Sequence, residues 1–171
     1  MKSIISIAVT SALIAGCAGL SGGGPSATAT LEATKGNTVS GTVNFTTKGD
    51  KVVVSARISG LTPGNHGFHI HEKGDCSSGD GLSAGGHFNP ASQAHAHPST
   101  MARHVGDMPM LIADGGGVAS FTAELDLMTI GSGANDIVGK GLIVHKDPDD
   151  FKTQPTGNSG ARLACGVIKK S

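Results

Sequence analysis

The sequence predicts an all-β domain, a Greek-key β-sandwich or flattened β-barrel with two long functional loops. Three observations point there. Short segments alternate apolar and polar residues with a period of two, Gly-rich turns separate them, and no stretch keeps a convincing helical period. A composition with 27 Gly, five Phe and neither Trp nor Tyr in 171 residues suits a turn-dense β protein. One domain is the natural reading of that length.

The elements follow in order. Val39, Gly41, Val43 and Phe45 share one face, and Val52, Val54, Ala56 and Ile58 share another, so an antiparallel hairpin is expected with 46–50 as its turn. Residues 61–65 contain Pro63 and Gly64 and form a second turn, after which 67–72 is the next strand. Segments 110–113, 118–125, 141–146 and 163–169 supply further strands. Between them, 74–108 and 146–161 are long and irregular, which in a compact domain marks functional loops.

The first residues read as an export signal: Lys2 is the positive start, 4–15 the apolar run, and Ile14-Ala15-Gly16-Cys17 a small-residue close of lipobox type. The run is too short to span a bilayer. The expected organisation is a lipoprotein signal peptide over 1–16, a lipidated Cys17 with a flexible Gly/Ser-rich tether over 17–27, and the folded domain over 28–171. The protein is then exported and lipid-anchored to a bacterial membrane, facing the periplasm or the cell exterior. Lipidation of Cys17 leaves Cys76 and Cys165 as a disulfide pair in an oxidising compartment. Lys plus Arg equals Asp plus Glu at 13 each, so no overall field draws nucleic acid, and the aromatic platforms that stack bases are missing.

Seven side chains carry metal chemistry: His69, His71, His87, His95, His104, Asp107 and His145. His69 and His71 point to one face of a strand and His66 to the other. Joined by His145 and His87 they make four imidazoles, a set that favours copper. His95, His104 and Asp107, completed by His87, reach the tetrahedral number that zinc prefers. A histidine with both nitrogens engaged could bridge the two. His97 is a substitute for His95, whereas His66 reads as a hydrogen-bonded structural residue.

The segments Gly67-Phe68-His69-Ile70-His71-Glu72, Gly86-His87-Phe88-Asn89-Pro90, His104-Val105-Gly106-Asp107 and 157–168, which contains Asn158-Ser159-Gly160-Ala161-Arg162 and Cys165, resemble the signature segments of copper/zinc superoxide dismutases. The resemblance covers nearly everything after the tether. It implies a redox-cycling copper held by His69, His71, His87 and His145, a structural zinc held by His87, His95, His104 and Asp107, and superoxide as the substrate. It also implies that His87 is a catalytic bridge that takes up and donates a proton, that Arg162 guides the substrate, and that Cys76 and Cys165 are joined. Asp149 matches the outer carboxylate linking a copper histidine to a zinc histidine. The 146–161 loop is shorter than in many eukaryotic members, which leaves Lys152 only a candidate steering lysine. A homodimer is among the assemblies the resemblance allows. A metal store without turnover would need neither the bridge nor an anion-binding arginine.

Overall fold

The computed structural model describes residues 24–171, so the expected signal peptide and Cys17 lie outside the described residues. The strands are β1 (Ser26–Ala33), β2 (Ser40–Lys48), β3 (Lys51–Ser59), β4 (Gly64–His66), β5 (Phe68–His71), β6 (Leu111–Ala113), β7 (Ala119–Leu125), β8 (Gly141–His145), β9 (Arg162–Val167) and β10 (Lys169–Lys170). Among the described residues the only helical element is one 3-10 turn, Leu82–Ala84.

The main sheet runs β5-β8-β9-β1-β2-β3-β7, with β10 also on β1 and with β4 and β6 as a separate pair. Its pairings are antiparallel, and the steps from β3 to β7 and from β9 back to β1 are the crossovers of a Greek-key arrangement. β1 makes the sheet curl: its first six residues pair with β2, while Glu32 and Ala33 pair with Cys165 and Ala164 of β9.

Alternation explains the core. Ala29, Leu31, Val43, Phe45, Val54 and Ile58 turn inward from β1 to β3 and are fully or almost fully buried, each apolar side chain contributing about 1.5 to 3 kcal/mol relative to exposure. β5 and β8 depart from the one-sided pattern because every residue in them is buried. Phe68, Ile70, Leu142 and Val144 fill the main core, so His69, His71, Ile143 and His145 occupy the opposite face. That face is covered by the two long loops rather than by a second sheet.

The sequence reading needs three adjustments. The first hairpin turns at Gly49-Asp50, not across 46–50, since Thr46, Thr47 and Lys48 pair with Val53, Val52 and Lys51; β-branched threonines suit an outward strand face. β1 opens at Ser26, inside the stretch read as tether, because Ala27 is buried and paired to Phe45. The strand read over 67–72 is shortened to Phe68–His71. Gly67, whose N–H and carbonyl are taken by Asp147 and His145, separates it from β4, which includes Gly64 and Asn65 of the stretch read as a turn.

The first loop is fastened along its length. Cys76 is bonded to Cys165 of β9, with Cα atoms 5.8 Å apart. Farther on, Ile70 and Phe88 exchange backbone bonds with Gly106 and with each other. A Cβ at Gly106 would lie 2.1 Å from the Ile70 carbonyl oxygen, so only glycine permits the approach that brings His104 and Asp107 over β5.

Candidate metal centre

His69 and His71 project from the covered face of β5, and His145 ends the neighbouring β8, where a register shift at Val144 and His145 sets it opposite Arg162. His87 comes from the first loop and is bridged through its backbone to His71. One donor nitrogen from each of these four buried histidines lies within 4.8 Å of the others.

Their outer hydrogen bonds fix which nitrogen faces inward. His69 Nε2 donates to Asp149 at 2.7 Å, His71 Nδ1 to the Gly85 carbonyl at 2.9 Å, and His145 Nδ1 faces the Gly160 carbonyl at 3.4 Å. The inward atoms are therefore bare lone pairs. His69 Nδ1 and His87 Nε2 are buried without any hydrogen-bond partner, and His71 Nε2 lies 3.4 Å from His145 Nε2. Four lone pairs converging on one buried point repel one another unless a cation sits between them, so the residues fit a copper ion.

The second set is His87, His95, His104 and Asp107. Asp107 Oδ1 is 2.9 Å from both His87 Nδ1 and His95 Nδ1 and 3.2 Å from His104 Nδ1, and the His87 and His104 nitrogens are 3.3 Å apart. The edge of a zinc tetrahedron with nitrogen ligands is about 3.3 Å, so this set fits zinc. His87 contributes Nε2 to one set and Nδ1 to the other, the geometry of a bridge.

Asp149 reaches both sets, with Oδ2 on His69 Nε2 and Oδ1 2.9 Å from His95 Nε2. A Cβ at Gly157 would collide with that carboxylate, which explains the glycine there. The electrostatics favour neutral imidazoles in the first set and hold Asp107 and Asp149 as anions beside His95 in the second. Burial pushes His69, His71 and His145 below the usual histidine value, and His87 down to about 3. Burial opposes ionisation of Asp107 and Asp149, but bonds from His104, His87 and His95 to the first, and from His69 and His95 to the second, hold both far below the ordinary carboxylate range. Burial also opposes charge on His95, yet its bonds to Asp107 and Asp149 raise it to about 9.

Beside the first set lies a cleft of about 270 Å³ lined by His71, His145, Thr156, Asn158 and Arg162, among others. Arg162 donates from Nη1 to the Gly81 carbonyl at 2.6 Å and from Nη2 to the Gly85 carbonyl at 2.7 Å. The Gly85 carbonyl thus holds both His71 and Arg162. Lys152 is exposed and outside the cleft lining. His97 is exposed, bonded to Ser99 and set against Phe151, while His95 is buried in the second set. His66 is buried, its ring nitrogens 2.9 and 2.8 Å from the carbonyls of His145 and Thr62. Sequence reasoning missed Gly85, whose contribution is a backbone carbonyl, and Gln154, whose amide reaches His95.

A family model described as copper/zinc superoxide dismutase matches residues 39–168. Among solved structures, the crystal structure of the clock protein EA4 superposes with a TM-score of 0.78 at 40% identity, over 84% of this chain and 93% of that one.

Proposed function

With the chain belonging to the copper/zinc superoxide dismutase family, we propose that His69, His71, His87 and His145 hold its copper and that His87, His95, His104 and Asp107 hold its zinc. Membership makes the protein an oxidoreductase that converts two superoxide ions and two protons to oxygen and hydrogen peroxide. The observation that carries the ligand assignment is the pair of buried, unpartnered nitrogens, His69 Nδ1 and His87 Nε2.

Copper supplies one-electron exchange with superoxide, and zinc, which has no redox chemistry, supplies fixed charge and order. The chain's own residues do the rest. Arg162 keeps guanidinium donors beyond the two spent on Gly81 and Gly85, and these receive the small anion at the cleft by charge-assisted hydrogen bonds. Its backbone clamps hold the fork in place, so little order is lost on capture. His87 Nε2 would carry the proton that peroxide needs only when it is not engaged as a ligand, since its one lone pair serves either role but not both. Asp149 orients His69 and His95 together, one oxygen on each ring, and the Phe151 N–H on Oδ1 fixes the carboxylate itself. With 13 basic and 13 acidic residues, steering rests on the local field around Arg162.

The protein is further read as an exported bacterial lipoprotein held by Cys17, active outside the cytoplasm as an antioxidant defence. Support comes from the lipobox-like Ile14-Ala15-Gly16-Cys17 and from a disulfide that an oxidising compartment permits. The decisive experiment measures copper and zinc content and superoxide removal on the same purified mature protein. One copper and one zinc per chain with rapid removal is the expected result; full loading without removal would overturn the reading.

A further inference from the structure

Six of the seven metal-binding side chains sit on backbone tied into a ladder, a bridge or a tight turn. His69 and His71 lie in β5 on β8; His145 is in β8; His87 and Asp107 are bridged to His71 and His69. His104 has its carbonyl bonded by the Asp107 N–H and its own N–H bonded to the Asp107 carboxylate.

His95 has none of these supports. It lies in the middle of the irregular stretch between Asn89 and Arg103, and among the described residues no backbone group bonds its N–H or its carbonyl. Gln154 bonds both. The His95 N–H donates to Gln154 Oε1 at 2.8 Å, and Gln154 Nε2 donates to the His95 carbonyl at 2.8 Å. This closed pair of bonds is the rung that a neighbouring strand would provide, made by one side-chain amide from the other loop.

We propose that Gln154 is a positioning residue for the zinc site, a clasp that substitutes for the missing ladder at His95. Its own placement is built. Asp150 accepts from the N–H groups of Lys152 and Thr153 and from the Thr153 hydroxyl, and Gly157 bonds back to Thr153 and Asp150. The segment from Asp150 to Gly157 is therefore a closed turn that presents Gln154 to the backbone of His95 while Asp149 takes its ring. Backbone and side chain of this one ligand are thus both held by the second loop. Loss of the clasp leaves the His95 N–H and carbonyl without partners, the Ala96 N–H on Asp107 Oδ2 being the backbone tie that remains. Zinc is then held less tightly, while copper, with three ligands on β5 and β8 and a fourth, His87, bridged to His71, is not affected.

The inference rests on the zinc assignment above, and its test reads zinc rather than dismutation. Zinc affinity is measured by equilibrium competition with a chelator, starting from the fully loaded protein, for the wild type, Gln154→Leu, which removes both bonds at similar volume, and Gln154→Glu, which keeps only an acceptor. Thermal unfolding of the metal-free forms is recorded alongside, as is the visible spectrum with cobalt(II) in the zinc site. Expected are zinc affinities about ten- to a hundredfold weaker in Gln154→Leu, Gln154→Glu weakened in the same direction, an altered cobalt spectrum, unchanged copper retention and metal-free midpoints close to wild type. Zinc affinity within twofold of wild type in Gln154→Leu would overturn the clasp, as would an equal loss of stability with and without metal. A wild-type chain that binds no zinc would overturn the site reading and the inference together.

Discussion

At the scale of single residues, Arg162 and the ion pair of Arg103 with Asp126 carry the sharpest expectations. On the proposed role of Arg162 in receiving the anion, Arg162→Ala should lower kcat/KM for superoxide about ten- to a hundredfold while copper and zinc content stays unchanged. Arg162→Lys should recover only part of the rate, because an ammonium cannot keep both carbonyl clamps and face the cleft with the same fork. Equal rates in all three proteins would refute the assignment. Arg103 is buried against the more exposed Asp126, which it reaches at 2.5 Å and whose carboxyl it holds below the ordinary value of 3.8. A depressed carboxyl stabilises the fold above its unfolded value and ceases to do so as pH falls through the folded one. Asp126→Asn should therefore cost about 1 kcal/mol at neutral pH, and the difference from wild type should close on acidification. Urea midpoints at several pH values check this, and a constant gap would count against it. The sequence favoured His95 over His97 by its distance from His87 and Pro98; in the structure His95 is buried and His97 is exposed. Gln154 was not legible, since an amide that serves a distant backbone has no motif.

At the scale of elements, the two-residue period gave the strands reliably where the inward residues are large, as in β2 and β3. It blurred at β1, where two of the three inward residues are alanines, and at Gly67, where one run of sequence serves two sheets. The loops show why: their order comes from contacts distant in sequence, which periodicity cannot express. The bond between Cys76 and Cys165 spans 89 residues and pins the first loop beneath the carbonyls that hold Arg162. Replacing both cysteines by serine should cost about 2 to 5 kcal/mol and lower the thermal midpoint by roughly 4 to 20 °C. Capture of superoxide should weaken with it, because Gly81 and Gly85 lose their anchor. An unchanged midpoint in calorimetry would show that the loop is held without the bond.

At the scale of the whole molecule, metal and fold are one equilibrium. Removing both ions leaves lone pairs facing one another in a buried space, so chelation should lower the unfolding midpoint markedly, and free metal at a thousand times its dissociation constant should contribute about 4 kcal/mol per site. Identical melting of metal-free and loaded protein would contradict this. For the anchor, Cys17→Ser should move the protein from the membrane fraction to the soluble one, and retention on membranes would exclude lipid attachment there. β1 imposes an order of events on the chain. Its early residues pair with β2, which follows it directly in sequence, but its final pair, Glu32 and Ala33, must wait for β9, which is made after β2 to β8. A polypeptide threaded amino end first through a ribosome or a translocation pore therefore keeps Glu32 and Ala33 of β1 unmatched until β9 is delivered. Arg162 opens that same strand, so the cleft it lines takes shape only once β9 has emerged.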